Sequence, residues 1–222
     1  MELGLRVSHD AGGVEVCPCD GIRHSAKRGG NVSGNRAAAK VAQLARNMAE
    51  GYAAHIAAIR IAPRVNDQAL LQMIADYPSD FVLRKDGTKW SFDTPDALGS
   101  AIANQEIAAE LPRVWLTGSL LTVGDALKDN GYFDRAPELE LVRHLRNGIA
   151  HGNRFDIRYP DELTKYPAHN RDTAFRTTTV FEVTPALDGQ PVLFDFMEAG
   201  DVLDLLCSAA LHLDRIGRGE LP

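Results

Sequence analysis

Cysteine is scarce: the 222 residues hold three, and Cys17 and Cys19 stand only one residue apart, so no disulfide framework is available. That scarcity points to a reducing compartment and a cytoplasmic location. Long apolar runs are missing too. The most apolar stretch, residues 53–62, is broken by His55 and Arg60 and falls well short of the roughly 20 residues a membrane span needs, so no membrane partner is expected. The N-terminus offers no uninterrupted apolar core of a signal peptide. Gly-x-Ser-x-Gly, His-Glu-x-x-His and a Gly-rich phosphate loop are all absent, which lowers the serine-hydrolase, zinc-protease and phosphate-loop readings. No Cys-His pair marks a thiol nucleophile. Positive charge is the minority sign, 24 Lys+Arg against 30 Asp+Glu. A net charge of −6 argues against a non-specific coat on duplex nucleic acid but leaves room for a small basic groove.

What is present is an ordinary globular composition, 45% hydrophobic, in a chain long enough to bury roughly 70% of its unfolded surface without a metal or disulfide staple. Residues 1–35 hold 7 of the 19 glycines and few apolar residues in any period, and are expected to form a disordered tail. Its His9, Cys17, Cys19 and His24 are metal-ligand types, but Cys-Pro-Cys is too tight for a zinc knuckle and no second pair follows, so no metal or other cofactor is expected.

From Arg36 the apolar residues Val41, Leu44, Ala45, Met48, Ala49, Tyr52 and Ile56 recur at helical spacing. A shorter helix is expected from a capping Asn66 to about Tyr77. Another starts with Thr94 as N-cap and Pro95 at its first position; Pro112 then restarts or kinks the chain, making residues 94–128 two helices in tandem. Two β-hairpins are expected, one pairing Phe81–Leu83 with Lys89–Phe92 around Asp86-Gly87, the other pairing Thr179–Val183 with Val192–Phe196 around Asp188-Gly189. A last helix covers about Ala199 to Ile216, with Cys207 in its core face and His212 at its edge. The expected fold is mainly α: one helical-bundle domain over residues 36–218, of about five to six helices with two small hairpin insertions.

Chemistry concentrates in Glu138–Asn153, ELELVRHLRNGIAHGN. Leu141, Val142, Leu145 and Ile149 share one face of a helix. Arg143, Asn147 and His151 follow one another on the opposite side, and Arg146 lies about 100° from Leu145, on the border between the faces. Within one rigid helix Arg146 and His151 do not touch. Gly152 is a suitable C-cap residue, placing the imidazole in the last turn, where the helix dipole favours its charged form. Cleaving RNA without a metal needs a base for the 2′-OH proton, an acid for the departing 5′-oxygen and positive charge on the phosphorane between them. A guanidinium meets the last need.

Arg146-Asn147-Gly148-Ile149-Ala150-His151 resembles the Arg-x4-6-His motif, with Asn just after the Arg, of the HEPN superfamily (higher eukaryotes and prokaryotes nucleotide-binding domains). The resemblance implies an HEPN-like helical bundle and a symmetric homodimer whose facing motif helices form a metal-independent endoribonuclease site. In that site His151 would be the general acid/base, Arg146 the phosphate and transition-state ligand, and Asn147 the residue that positions the phosphate or orients the His. It further implies RNA as substrate, an antitoxin or regulatory protein as a further partner, and a setting in defence, stress or toxin systems. Asn153 stands where HEPN toxins paired with a nucleotidyltransferase antitoxin often carry Tyr, a departure from that variant.

Other readings stand beside this one. A helix can end Arg-Asn-…-His-Gly simply because cations complement its dipole and Gly caps it, and the domain can be a non-catalytic HEPN-like module binding RNA, a nucleotide or a protein. Arg143 and Arg154 are candidate RNA contacts, while Arg143 and His144 also read as solvated helix surface. Residues 141–176 carry seven basic side chains against four acids, the local excess a short nucleic-acid groove requires. Tyr159, Tyr166 and Phe175 can stack on unpaired bases or merely anchor loops. In the first hairpin, Arg84, Lys85 and Lys89 beside Trp90 admit the same two readings. The segment Phe155–Thr178 has no clear periodicity, and a lid over the site or a free loop are equally open to it.

Overall fold

Alanine-rich sequence makes the first helix, and its small side chains decide what packs on it. The structure, a computed structural model, describes residues 35–61, 72, 76, 79–172 and 179–220. Helix α1 (Arg36–Ile61) is capped by Asn35, whose Oδ1 accepts the N–H groups of Ala37 and Ala38, both at 3.1 Å. Ala38, Val41, Ala42, Ala45 and Ala49 are buried at helical spacing. This narrow stripe packs mainly on the C-terminal helix, and Arg46 adds a 2.5 Å ion pair to the buried Asp214. The tail expected over residues 1–35, except Asn35, lies outside the described residues. So does the helix expected from Asn66 to Tyr77, apart from Gln72 and Asp76, which are helical and joined side chain to side chain at 3.1 Å.

Strands β1 (Ser79–Leu83) and β2 (Lys89–Asp93) form the first expected hairpin, with Phe81 opposite Ser91 and Val82 opposite Trp90. Asp86 Oδ1 accepts from Thr88 N (2.9 Å) and Thr88 Oγ1 (2.7 Å), closing the turn.

Two tandem helices follow, α2 (Thr94–Ala103) and α3 (Gln105–Asp129), but their caps differ from the expected ones. Asp93, not Thr94, caps α2, accepting Asp96 N at 2.8 Å. The break falls at Asn104, eight residues before Pro112. Asn104 Oδ1 accepts from Glu106 N (3.0 Å) and Ile107 N (3.4 Å), while Pro112 sits inside α3 and removes only one N–H from the ladder. Leu116, Leu120, Val123 and Leu127 then bury one face of α3 completely, whereas Val114 is exposed.

Helix α4 (Pro137–Ala150) lies against α3, followed by the short α5 (Pro160–Lys165) and the long α6 (Ala199–Gly217). Cys207 is buried on α6 as expected. Among the described residues the protein is mainly helical with one two-stranded antiparallel sheet, and no helix is long and apolar enough to cross a membrane.

The second hairpin does not form. Val183 N donates to Ala168 O (2.9 Å) and Asn170 N to Phe181 O (3.2 Å), while Val192 N donates to Asn153 O (3.0 Å) and Phe155 N to Gln190 O (2.9 Å). Each strand-like run therefore pairs with the segment after the motif helix instead of with the other run. Burial accounts for the choice: Phe181, Val183, Val192, Leu193 and Met197 reach the core, and Phe196 meets Phe155 and Phe181 edge-on at 5.1 and 5.4 Å. Residues 155–172 of the aperiodic segment are thereby tied down, with Phe155, Ile157, Ala168 and Asn170 buried; residues 173–178, Phe175 and Arg176 among them, lie outside the described residues.

Candidate functional site

The site is built on α4. Its buried face, Leu141, Val142, Leu145 and Ile149, matches the expected apolar stripe, joined by Leu139. Gly148 lets the following loop press against the helix: a Cβ there would stand 2.4 Å from Val192 Cγ2 and 3.0 Å from the Arg154 carbonyl oxygen. His151 is the C-cap, its N–H shared between the carbonyls of Asn147 and Gly148 at 3.1 Å each. Gly152 at φ +81° and Asn153 at φ +62° then reverse the chain. Asn153 fastens the reversal by accepting Leu193 N (2.9 Å) and donating to Leu193 O (3.1 Å).

This reversal carries Asp156 back to His151, with Oδ2 3.4 Å from Nε2. Arg158 holds that carboxylate through Nε at 3.0 Å and Nη2 at 2.8 Å. These hydrogen bonds, with the charges of Arg158 and His151, keep the Asp156 carboxyl below the usual range. The His151 side chain is 53% exposed. It opens on a groove of about 330 Å³ that Arg143, His144 and Asn147 line from α4, and Asp156, Tyr159 and Glu162 from the returning segment.

The groove thus gathers three of the five predicted site residues, Arg143, Asn147 and His151. Arg146 points elsewhere: its Nε and Nη2 donate to Asp125 Oδ1 on α3 at 2.8 and 2.5 Å, and Nη1 donates to Asn147 Oδ1 at 3.1 Å. Arg154 lies outside the groove, donating to the Gly189 carbonyl at 2.7 Å. The expected basic excess is largely neutralised within the fold, since Arg143 pairs with Glu140, Arg146 with Asp125, Arg158 with Asp156 and Arg171 with Glu182.

Arg143 and His144 are not the solvated surface that spacing alone allows, because the returning segment lies along this side of α4. His144 is 9% exposed. Its Nε2 stands 3.1 Å from Arg143 Nη2, a contact that suits a neutral imidazole accepting from a guanidinium. Burial, reinforced by the Arg143 charge, pushes its pKa down to about 4. Glu140, missed at the sequence level, is fully buried; it accepts Arg143 Nε at 2.5 Å and stands 3.8 Å from Arg135 Nη1. Its i,i+3 spacing to Arg143 was the available signal.

A second polar cluster anchors the start of α4. His212 on α6 bridges Asp134 (Nε2–Oδ2 2.7 Å) and Glu138 (Nδ1–Oε1 3.1 Å), and Ser208 Oγ donates to Glu138 Oε2 at 2.5 Å. Burial opposes charge on His212, but the Asp134 hydrogen bond and the two carboxylates outweigh it and raise its pKa. Burial likewise raises the pKa of Glu138, against the pull of Ser208 and His212.

No family model, curated protein or solved structure matches the chain.

Proposed function

We propose that the groove is half of a composite site in an HEPN-like homodimer that cleaves single-stranded or loop RNA without a metal. The observation that carries this reading is the His151–Asp156 pair: an exposed imidazole on a helix C-cap, faced by an ionised carboxylate at 3.4 Å, with Asn147 one turn back on the same groove. Such an imidazole can take the 2′-OH proton and return one to the leaving 5′-oxygen. Asn147 serves as the polar residue beside the scissile phosphate. Arg146 lies on the α3 side and reaches a phosphorane only where a second copy brings its own motif helix opposite, which a two-fold axis does for both sites at once. Its partner Asp125 is an exposed surface carboxylate that an RNA phosphate can replace.

His151→Ala is expected to lower cleavage by about 10² to 10⁴-fold while leaving the fold and RNA affinity nearly unchanged. Arg146→Ala is expected to lower cleavage too and, as the loss of a phosphate ligand, to weaken RNA binding as well, and sedimentation is expected to show a dimer at micromolar concentration. A strictly monomeric active enzyme would remove the composite site. One observation favours the second reading, a non-catalytic module binding RNA, a nucleotide or a protein: Arg146 is already engaged by Asp125 and Asn147. RNA binding without cleavage by the wild-type dimer would decide for it.

A further inference from the structure

Acid–base chemistry at His151 leaves two groups of the groove unused, Tyr159 and Glu162. Tyr159 is 71% exposed although it lines the depression. Glu162, three residues on in α5, lines the same depression with a side chain 53% exposed, and its ion-pair partner Arg143 Nη1 stands at 4.0 Å, beyond hydrogen-bond reach. The groove's two guanidiniums are committed elsewhere, Arg158 to Asp156 and Arg143 to Glu140 and His144. What Tyr159 and Glu162 offer a ligand, beside the His151 and Asn147 part of the groove, is therefore an open aromatic face and a pair of carboxylate oxygen acceptors. That combination suits a flat ring carrying N–H donors on its edge better than it suits a phosphate.

The four RNA bases differ in what they present to a carboxylate. Guanine alone carries two adjacent donors on its Watson–Crick edge, N1–H and N2–H, matching the two carboxylate oxygens. Adenine and cytosine set one amino group beside a ring-nitrogen acceptor, and uracil sets one N–H between two carbonyls, so each turns a lone pair toward Glu162. We propose that Tyr159 and Glu162 form a guanine-binding site, the base stacked on the phenol ring and held through its Watson–Crick edge by the carboxylate. The proposal builds on the reading of the groove as an RNA-cleaving site, and there it selects a guanosine next to the bond broken.

The test uses the full chain and the four nucleoside 5′-monophosphates, followed by calorimetry or by NMR shifts of groove residues. Having no internucleotide bond, these probes report base recognition whether or not the protein cleaves RNA. GMP is expected to bind at least about tenfold more tightly than AMP, CMP or UMP, the discrimination of one well-matched polar edge. Glu162→Gln is expected to abolish the preference, since an amide offers one acceptor and one donor. Tyr159→Ala is expected to weaken GMP binding about tenfold and Tyr159→Phe to retain it. Equal affinity for all four nucleotides, no binding of any, or a GMP preference that survives Glu162→Gln would each overturn the proposal. GMP selectivity in a protein that cleaves no RNA would uphold this site while the nuclease reading fails; cleavage lost in His151→Ala without any base preference would do the reverse.

Discussion

His144 makes the fold sensitive to acid, and the size of the effect follows from its surroundings. Buried beside the Arg143 guanidinium, the imidazole has a pKa of about 4, against the 6.5 of a free histidine. Below pH 6.5 the unfolded chain takes up a proton that the folded chain refuses until about pH 4, so stability is complete above the higher value and lost as pH falls through this window. Two and a half pKa units at 1.36 kcal/mol each give about 3 kcal/mol in all, of which about 2 kcal/mol is lost by pH 5. His144→Gln keeps an acceptor for Arg143 but cannot titrate. Urea unfolding of both proteins at pH 7 and pH 5 isolates the contribution, because acid loss at the other shifted groups, Asp134 and Asp156 among them, is common to the two. The wild type is expected to lose about 2 kcal/mol more than the variant between those pH values. Parallel losses, within about 0.5 kcal/mol, would refute the buried, neutral His144.

Other consequences concern the elements that hold the motif helix. Gly148→Ala is expected to lower the unfolding free energy by about 1 kcal/mol net, since the clash of its Cβ with Val192 and the Arg154 carbonyl exceeds the helix-propensity gain; an unchanged urea midpoint would contradict that packing. Asn153→Ala removes both hydrogen bonds to Leu193 and leaves a β-carbon at φ +62°, so about 2 kcal/mol should be lost in equilibrium unfolding. His212 acts with the opposite sign to His144: its raised pKa stabilises the fold below about pH 6.5 and that gain disappears as pH rises through the folded value. His212→Gln is therefore expected to be less stable than wild type at pH 6, with the gap closing toward pH 9. A gap that widens with pH would show that His212 is not a charged bridge between Asp134 and Glu138.

Where local pattern and burial agree, the sequence is sufficient. The stripe Leu141, Val142, Leu145 and Ile149 marks the buried face of α4, Asp86-Gly87 marks the first hairpin, and the residues expected for the last helix form α6 within one residue at its end. Long-range competition is what periodicity does not record. Thr179–Val183 and Val192–Phe196 have strand-like composition, but their buried side chains and backbone groups find better partners around Ala168–Asn170 and Asn153–Phe155 than in each other. The tandem break falls where the Asn104 side chain caps the next helix, while Pro112 is carried inside that helix, so the cap and not the proline marks the boundary.

The site divides in the same way. Helical spacing places Arg143, Asn147 and His151 in one groove, and it leaves Arg146 on the α3 side, where it touches Asn147 but does not line the groove. The partner that holds Arg146, Asp125, is 21 residues away on another helix and leaves no local trace. Asp156 was visible only as one of four acids in a basic window, because its contact with His151 depends on the reversal at Gly152 and Asn153. The burial of His144 likewise rests on the returning segment, whose path no period reveals.

The proposed metal-free cleavage of RNA at His151 is tested most directly by analysis of its products. A labelled RNA with single-stranded loops is incubated in excess EDTA with the wild type and with His151→Ala, and the new 3′ ends are identified by mass spectrometry. Cleavage by the wild type alone, leaving a 2′,3′-cyclic phosphate, is the predicted result. Cleavage that persists in His151→Ala, or that leaves a 3′-hydroxyl, would contradict it.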